Sequence, residues 1–152
     1  MKAMTLLVYI ATVTTVSHAA TVENQADSST EGRLALTAAG NVQAGDIIDS
    51  SKLYSVLYAN TKCDLPIANA DNLWHAEELY GNKLVDGCWG MPLSPLRDKF
   101  VSVNKFGNVS HGSIYGYKKV RILSNGSARV IGPAISDDEY QKRVAAYQKE
   151  IR

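Results

Sequence analysis

The chain has 152 residues, 45% of them hydrophobic and 20% charged, with 16 Lys+Arg against 15 Asp+Glu and a formal net charge of +1. That length suits one domain, and the near-neutral balance lacks the basic excess typical of a protein that captures nucleic acid. Two cysteines and three histidines without ligand spacing argue against a zinc site.

Lys2 precedes an apolar run from Met4 to Val16, and Ser17-His18-Ala19 supplies small residues at the positions a signal peptidase reads. This pattern predicts a cleaved signal peptide over residues 1–19. The run is interrupted by Thr5, Thr12, Thr14 and Thr15, and it falls short of the roughly 20 apolar residues that span a bilayer. Removing Lys2 leaves 16 − 1 = 15 basic residues against 15 acidic ones, a net charge of zero. The expected location is periplasmic or secreted, with no membrane span after cleavage and no nucleic-acid partner. Residues 20–32 are polar, carry Glu23, Asp27 and Glu31, and show no apolar period. They read as a flexible leader, with the domain occupying 33–152.

From Arg33 the pattern is mostly β. Leu34 and Leu36 alternate with small residues, Gly45-Asp46 marks a turn, and Leu53–Ala59 is rich in Tyr, Val and Leu. Between Trp74 and Trp89 the pair Gly81-Asn82 suits a two-residue type II′ hairpin turn. The competing helix over Asp71–Tyr80 rests on Ala76, Glu77, Glu78 and Leu79. Pro92 and Pro95 make Met91–Leu96 a loop. Phe100–Val103 alternates again, Lys105–Asn108 turns, and Val109 starts a return strand. Lys118–Ile131 reads as a hairpin whose Asn125-Gly126 predicts a type I′ turn. Ser136 and Glu139 form a capping-box pattern, and Tyr140, Val144, Tyr147 and Ile151 share one face of a helix over 137–151. That stripe is expected to pack on the protein's own sheet. The fold class is mainly β (α+β): a small antiparallel sheet or meander of about five to seven strands, one disulfide and a C-terminal helix.

Cys63 and Cys88 are 25 positions apart. In an exported domain they are expected to pair, closing a loop that stabilises by roughly 3 kcal/mol.

A two-residue turn at Gly81-Asn82 fixes a register. Tyr80 faces Lys83, Leu79 faces Leu84, Glu77 faces Asp86, and His75 faces Cys88. His75, Glu77 and Asp86 then gather one imidazole and two carboxylates, a candidate for divalent-metal or acid–base chemistry. Trp74 faces Trp89 on the other side. With Tyr80 these aromatics form either a core face or a platform for a protein or glycan partner. Tyr115, Tyr117, Lys119 and Arg121 make a basic-aromatic strip and a second candidate surface. His111 lies near Ser110 and Ser113 without a nucleophile elbow. No phosphate-cradling or dinucleotide fingerprint is present, so no cofactor is expected.

The segment Val42-Gln43-Ala44-Gly45-Asp46-Ile47-Ile48, followed by Leu53, resembles a short stretch of the SAF-type β-clip domains of exported bacterial assembly chaperones. The likeness brings no functional residue to this chain. The residues point first to a small exported, non-enzymatic binding or accessory protein acting by surface recognition. The alternatives are an enzyme using His75, Glu77 and Asp86, and a structural component of an envelope or virion assembly.

Overall fold

A computed structural model describes residues 32–152. The proposed signal peptide, and the leader up to Glu31, lie outside the described residues. Among the described residues, nine antiparallel strands are followed by one α-helix. The strands are β1 (Arg33–Thr37), β2 (Ile47–Asp49), β3 (Ser55–Lys62), β4 (Trp74–Tyr80), β5 (Lys83–Gly90), β6 (Lys99–Asn104), β7 (Val109–Ser113), β8 (Lys118–Ile122) and β9 (Ser127–Pro133); the helix is α1 (Asp137–Glu150). They form a single sheet in the order β2-β9-β8-β1-β3-β4-β5-β6-β7. The mainly β fold with a C-terminal helix is as expected. The strand count is nine because short elements such as β2, three residues long, carry little periodic signal of their own.

The β4–β5 hairpin has the register its turn dictates: Tyr80↔Lys83, Leu79↔Leu84, Glu77↔Asp86, His75↔Cys88 and Trp74↔Trp89. Gly81 takes φ 63° while Asn82 stays out of the positive region, as a type II′ turn requires. The Leu123–Ser127 turn differs from expectation. Gly126 has φ 78° but Asn125 does not adopt positive φ. The Leu123 N–H donates to the Ser127 carbonyl, and the Gly126 N–H to the Leu123 carbonyl. This is a three-residue loop closing on a left-handed glycine. The Asn125 carboxamide selects it by accepting from the Ser127 N–H at 3.0 Å and its hydroxyl at 2.7 Å.

Both faces of the sheet are buried, at different ends. Leu57 and Tyr58 are sequence neighbours, so their side chains point to opposite faces. Leu57 joins Ala76, Trp89, Phe100, Ile114 and Ile135 in one cluster. Tyr58 joins Ala35, Leu53, Val56, Val120, Ile122, Ala128 and Val130 in the other. The segments flanking β8 and β9 fold back over the first cluster, where the Ala134 N–H donates to the Tyr117 carbonyl at 2.8 Å. Residues 42–53 cover the second through Val42, Ile48 and Leu53. The register of β3 against β4 shifts between Leu57 and Lys62.

Helix α1 begins where its cap predicts. The Ser136 hydroxyl accepts from the Glu139 N–H at 3.2 Å. The Glu139 carboxylate pairs with Arg143, one turn on. The helix packs only by its first half. Tyr140 stacks on Tyr115 with centroids 3.9 Å apart. Arg143 donates to the Leu96 and Arg97 carbonyls, both at 2.9 Å. Tyr147 and Ile151, at the end of the apolar stripe, stay exposed.

Cys63 and Cys88 are bonded, with Cα atoms 5.3 Å apart. Among the described residues, no helix is long and apolar enough to cross a membrane.

Candidate functional site

The richest group of polar side chains lies on the Tyr58 face of β3 and β4. Strand alternation sends Val56 and Tyr58 from β3, and His75 and Glu77 from β4, to the same side. A cleft of about 460 Å³ opens over Val56, Tyr58 and Glu77, walled by Arg33, Ser50, Ser51, Leu84, Ile122, Ser124 and Gly126 among others. The Tyr58 ring forms part of its floor and is 1% exposed. The Arg33 guanidinium carbon sits 4.2 Å above the ring centroid, within cation–π range. The His75 ring packs at 5.2 Å from the Tyr58 ring, and its Nε2 lies 3.7 Å from Glu77 Oε1.

These neighbours set the Tyr58 hydroxyl. Burial and the negative charge of Glu77 push it up to about 12, against a weaker opposing pull from Arg33. It is therefore a protonated donor throughout the physiological range. Arg33 lies over this ring and Glu77 acts on its hydroxyl, and no ion pair joins the two charges. Ser50 Oγ donates to the Gly126 carbonyl at 2.8 Å, and Ser51 Oγ to Asp49 Oδ1 at 2.7 Å.

The residues singled out from sequence are placed as follows. His75 and Glu77 come together as the register requires. Asp86 is paired across from Glu77 but lies 3.7 Å from Lys105 Nζ. Among the described residues, no group of three or more His, Cys, Asp or Glu side chains could hold a metal ion.

Trp89 is 4% exposed, its ring centroid 5.3 Å from that of half-buried Trp74. Tyr80 is separate from both: it is 53% exposed and pairs with Phe106, itself 58% exposed, at 5.1 Å. The Tyr115–Arg121 strip is largely engaged within the protein. Tyr115 stacks on Tyr140 and donates to Asp137 at 3.0 Å. That hydrogen bond, with the charge of Asp137, raises the Tyr115 pKa. Tyr117 packs edge-on against Phe100. Lys119 is half-buried opposite Leu36. Arg121 is half-buried and donates to the Gly32 carbonyl at 3.4 Å.

Sequence reading missed Arg33, Tyr58, Ser50, Ser51 and Ser124. A strand over Leu53–Ala59 would put Tyr58 on the same face as Val56, which is the local signal that could have found it. That Arg33 covers it depends on β1 pairing with β3 as Ala35↔Tyr58, a long-range register.

Comparison with protein-family models, curated proteins and solved structures finds no match to the chain.

Proposed function

We propose that the protein is a small exported binding protein that holds a small zwitterionic ligand in the Arg33–Tyr58–Glu77 cleft. The observation that carries this reading is that Arg33 and Glu77 line one cleft beside a buried tyrosine with no ion pair between them. Arg33 offers donors to a carboxylate, and Glu77 accepts from an ammonium. A cleft of some hundreds of Å³ with a few convergent polar groups is the usual form of a small-molecule site. An amino acid or a peptide end has the matching charges.

Binding, rather than catalysis, fits the state of these groups. A general base works best with a pKa near the operating pH, whereas Tyr58 is shifted away from it. The hydroxyls of Ser50 and Ser51 already donate to protein acceptors. Export is supported by the disulfide and by the N-terminal sequence pattern.

Amide chemical-shift mapping tests the proposal, using alanine, diglycine and the uncharged sugar N-acetylglucosamine at millimolar concentration. The zwitterions are expected to move resonances around Arg33, Tyr58 and Glu77, and Glu77→Gln to abolish the response. Shifts confined to other surfaces, no shifts at all, or an equal response to the sugar would overturn it.

A further inference from the structure

We infer that the protein self-associates by pairing β7 with β7 of a second copy about a two-fold axis at His111. Among the described residues, strand β7 ends the sheet and hydrogen-bonds only to β6. The opposite edge, β2, is three residues long and carries Asp49. Natural edges are guarded by charges, prolines or bulges. Strand β7 reads Val-Ser-His-Gly-Ser, with no acidic residue, lysine, arginine or proline, and its register against β6 is unbroken.

The register also says which backbone groups face outward. The Asn104 N–H donates to the Asn108 carbonyl, and the Ile114 N–H to the Asp98 carbonyl. Antiparallel ladders alternate, so Ser110 and Gly112 bond inward to β6. Val109, His111 and Ser113 present their N–H and C=O groups away from the sheet. Both ends of this edge are held in place. Asn104 Oδ1 accepts from the Phe106 and Asn108 N–H groups at 3.0 and 3.2 Å. At the other end, Ser113 Oγ donates to Asp98 Oδ2 at 2.6 Å, and Asp98 is 1% exposed. Such an edge is pre-ordered, so little conformational entropy is lost when a partner strand binds.

A second copy is the occupant because the edge is self-complementary. In an antiparallel pair centred on His111, Val109 of each copy lies opposite Ser113 of the other, and the two His111 residues exchange both backbone hydrogen bonds. A two-fold interface has this isologous form. No acidic, lysine or arginine side chain of the strand meets its like across the axis. A five-residue edge buries less than the roughly 1,200 Å² of a standard stable interface, so the dimer is weak and concentration-dependent.

Sedimentation velocity of the full chain over a wide concentration range tests this. The wild type is expected to move from monomer to dimer as concentration rises. His111→Pro removes an outward N–H without touching a β6 bond, and His111→Lys sets two ammonium groups face to face. Each is expected to weaken association about tenfold or more, with circular dichroism and melting temperature unchanged. A wild type that stays monomeric at the highest concentration would overturn the inference. So would a dimer that survives His111→Lys with its fold intact.

Discussion

The Trp89 indole Nε1 donates to the Tyr58 carbonyl at 2.9 Å, in a buried contact between residues 31 positions apart. The β3–β4 register shifts beyond Leu57. Tyr58 lies in this irregular stretch, and a buried carbonyl without a partner is costly. The tryptophan supplies the bond from the neighbouring core and thereby links the two faces: its ring fills the Leu57 cluster, and its donor fixes the strand that carries the Tyr58 ring into the cleft.

Trp89→Phe keeps most of the apolar volume but leaves that carbonyl without its donor. It is expected to cost about 1–3 kcal/mol, and Trp89→Ala about 3–5 kcal/mol, both read from urea denaturation. A Trp89→Ala protein of undiminished stability would place the indole outside the core. Trp74→Ala is expected to cost less, since that ring is only half-buried.

The β4–β5 hairpin was legible in full, because Gly81-Asn82 specifies a two-residue loop and a hairpin register follows from its loop. The start of α1 was legible for the same local reason, since Ser136 and Glu139 sit three apart. The Asn125-Gly126 turn misled: Asn-Gly permits type I′, but the side-chain bonds from Asn125 to Ser127 favour a longer loop. The cleft was half legible. Glu77 follows from one hairpin, whereas Arg33 arrives over Tyr58 only through the β1–β3 pairing. Asp86 illustrates the limit of register reasoning. It faces Glu77 across the ladder, yet its charge partner is Lys105, and among the described residues no three such side chains gather as a metal site.

The bond between Cys63 and Cys88 ties the end of β3 to β5 across a separation of 25 residues. Closing a loop of that length removes unfolded-state freedom worth roughly 3 kcal/mol. Reduction is therefore expected to lower the unfolding free energy by about that amount, and replacing both cysteines by alanine to do the same. Urea titrations with and without reductant measure it directly. An unchanged midpoint would show that the reduced chain retains an equivalent constraint.

Tyr58 gives a pH signature. An unfolded tyrosine ionises at its ordinary value of 10.0, whereas in the folded protein Tyr58 does so at about 12. Between these values the folded state holds a proton that the unfolded state has lost. Stability from this group is thus complete below pH 10 and falls as pH rises through 12, with a slope of up to about 1.4 kcal/mol per unit. Tyr58→Phe removes this dependence and flattens the alkaline limb of the stability curve. Glu77→Gln takes away a repelling charge and is expected to lower the Tyr58 pKa, which absorbance titration of the phenolate follows. Equal alkaline limbs for wild type and Tyr58→Phe would contradict the burial of that hydroxyl.

Gly112 on β7 is fixed by an aromatic ring. It lies opposite Phe100, and a methyl group at this position would overlap the edge of the Phe100 ring. Phe100 is buried in the Leu57 cluster and meets Tyr117 edge-on at 5.5 Å, so it cannot swing away without repacking that core. Gly112→Ala is accordingly expected to cost about 1–3 kcal/mol by overpacking. Gly132, which has nothing within 4 Å of an added Cβ, is the control: Gly132→Ala is expected to change stability by less than about 1 kcal/mol. Phe100→Leu in the Gly112→Ala background should recover part of the loss by making room for the methyl. Additive effects in that double mutant would show that the ring and the glycine do not share the space.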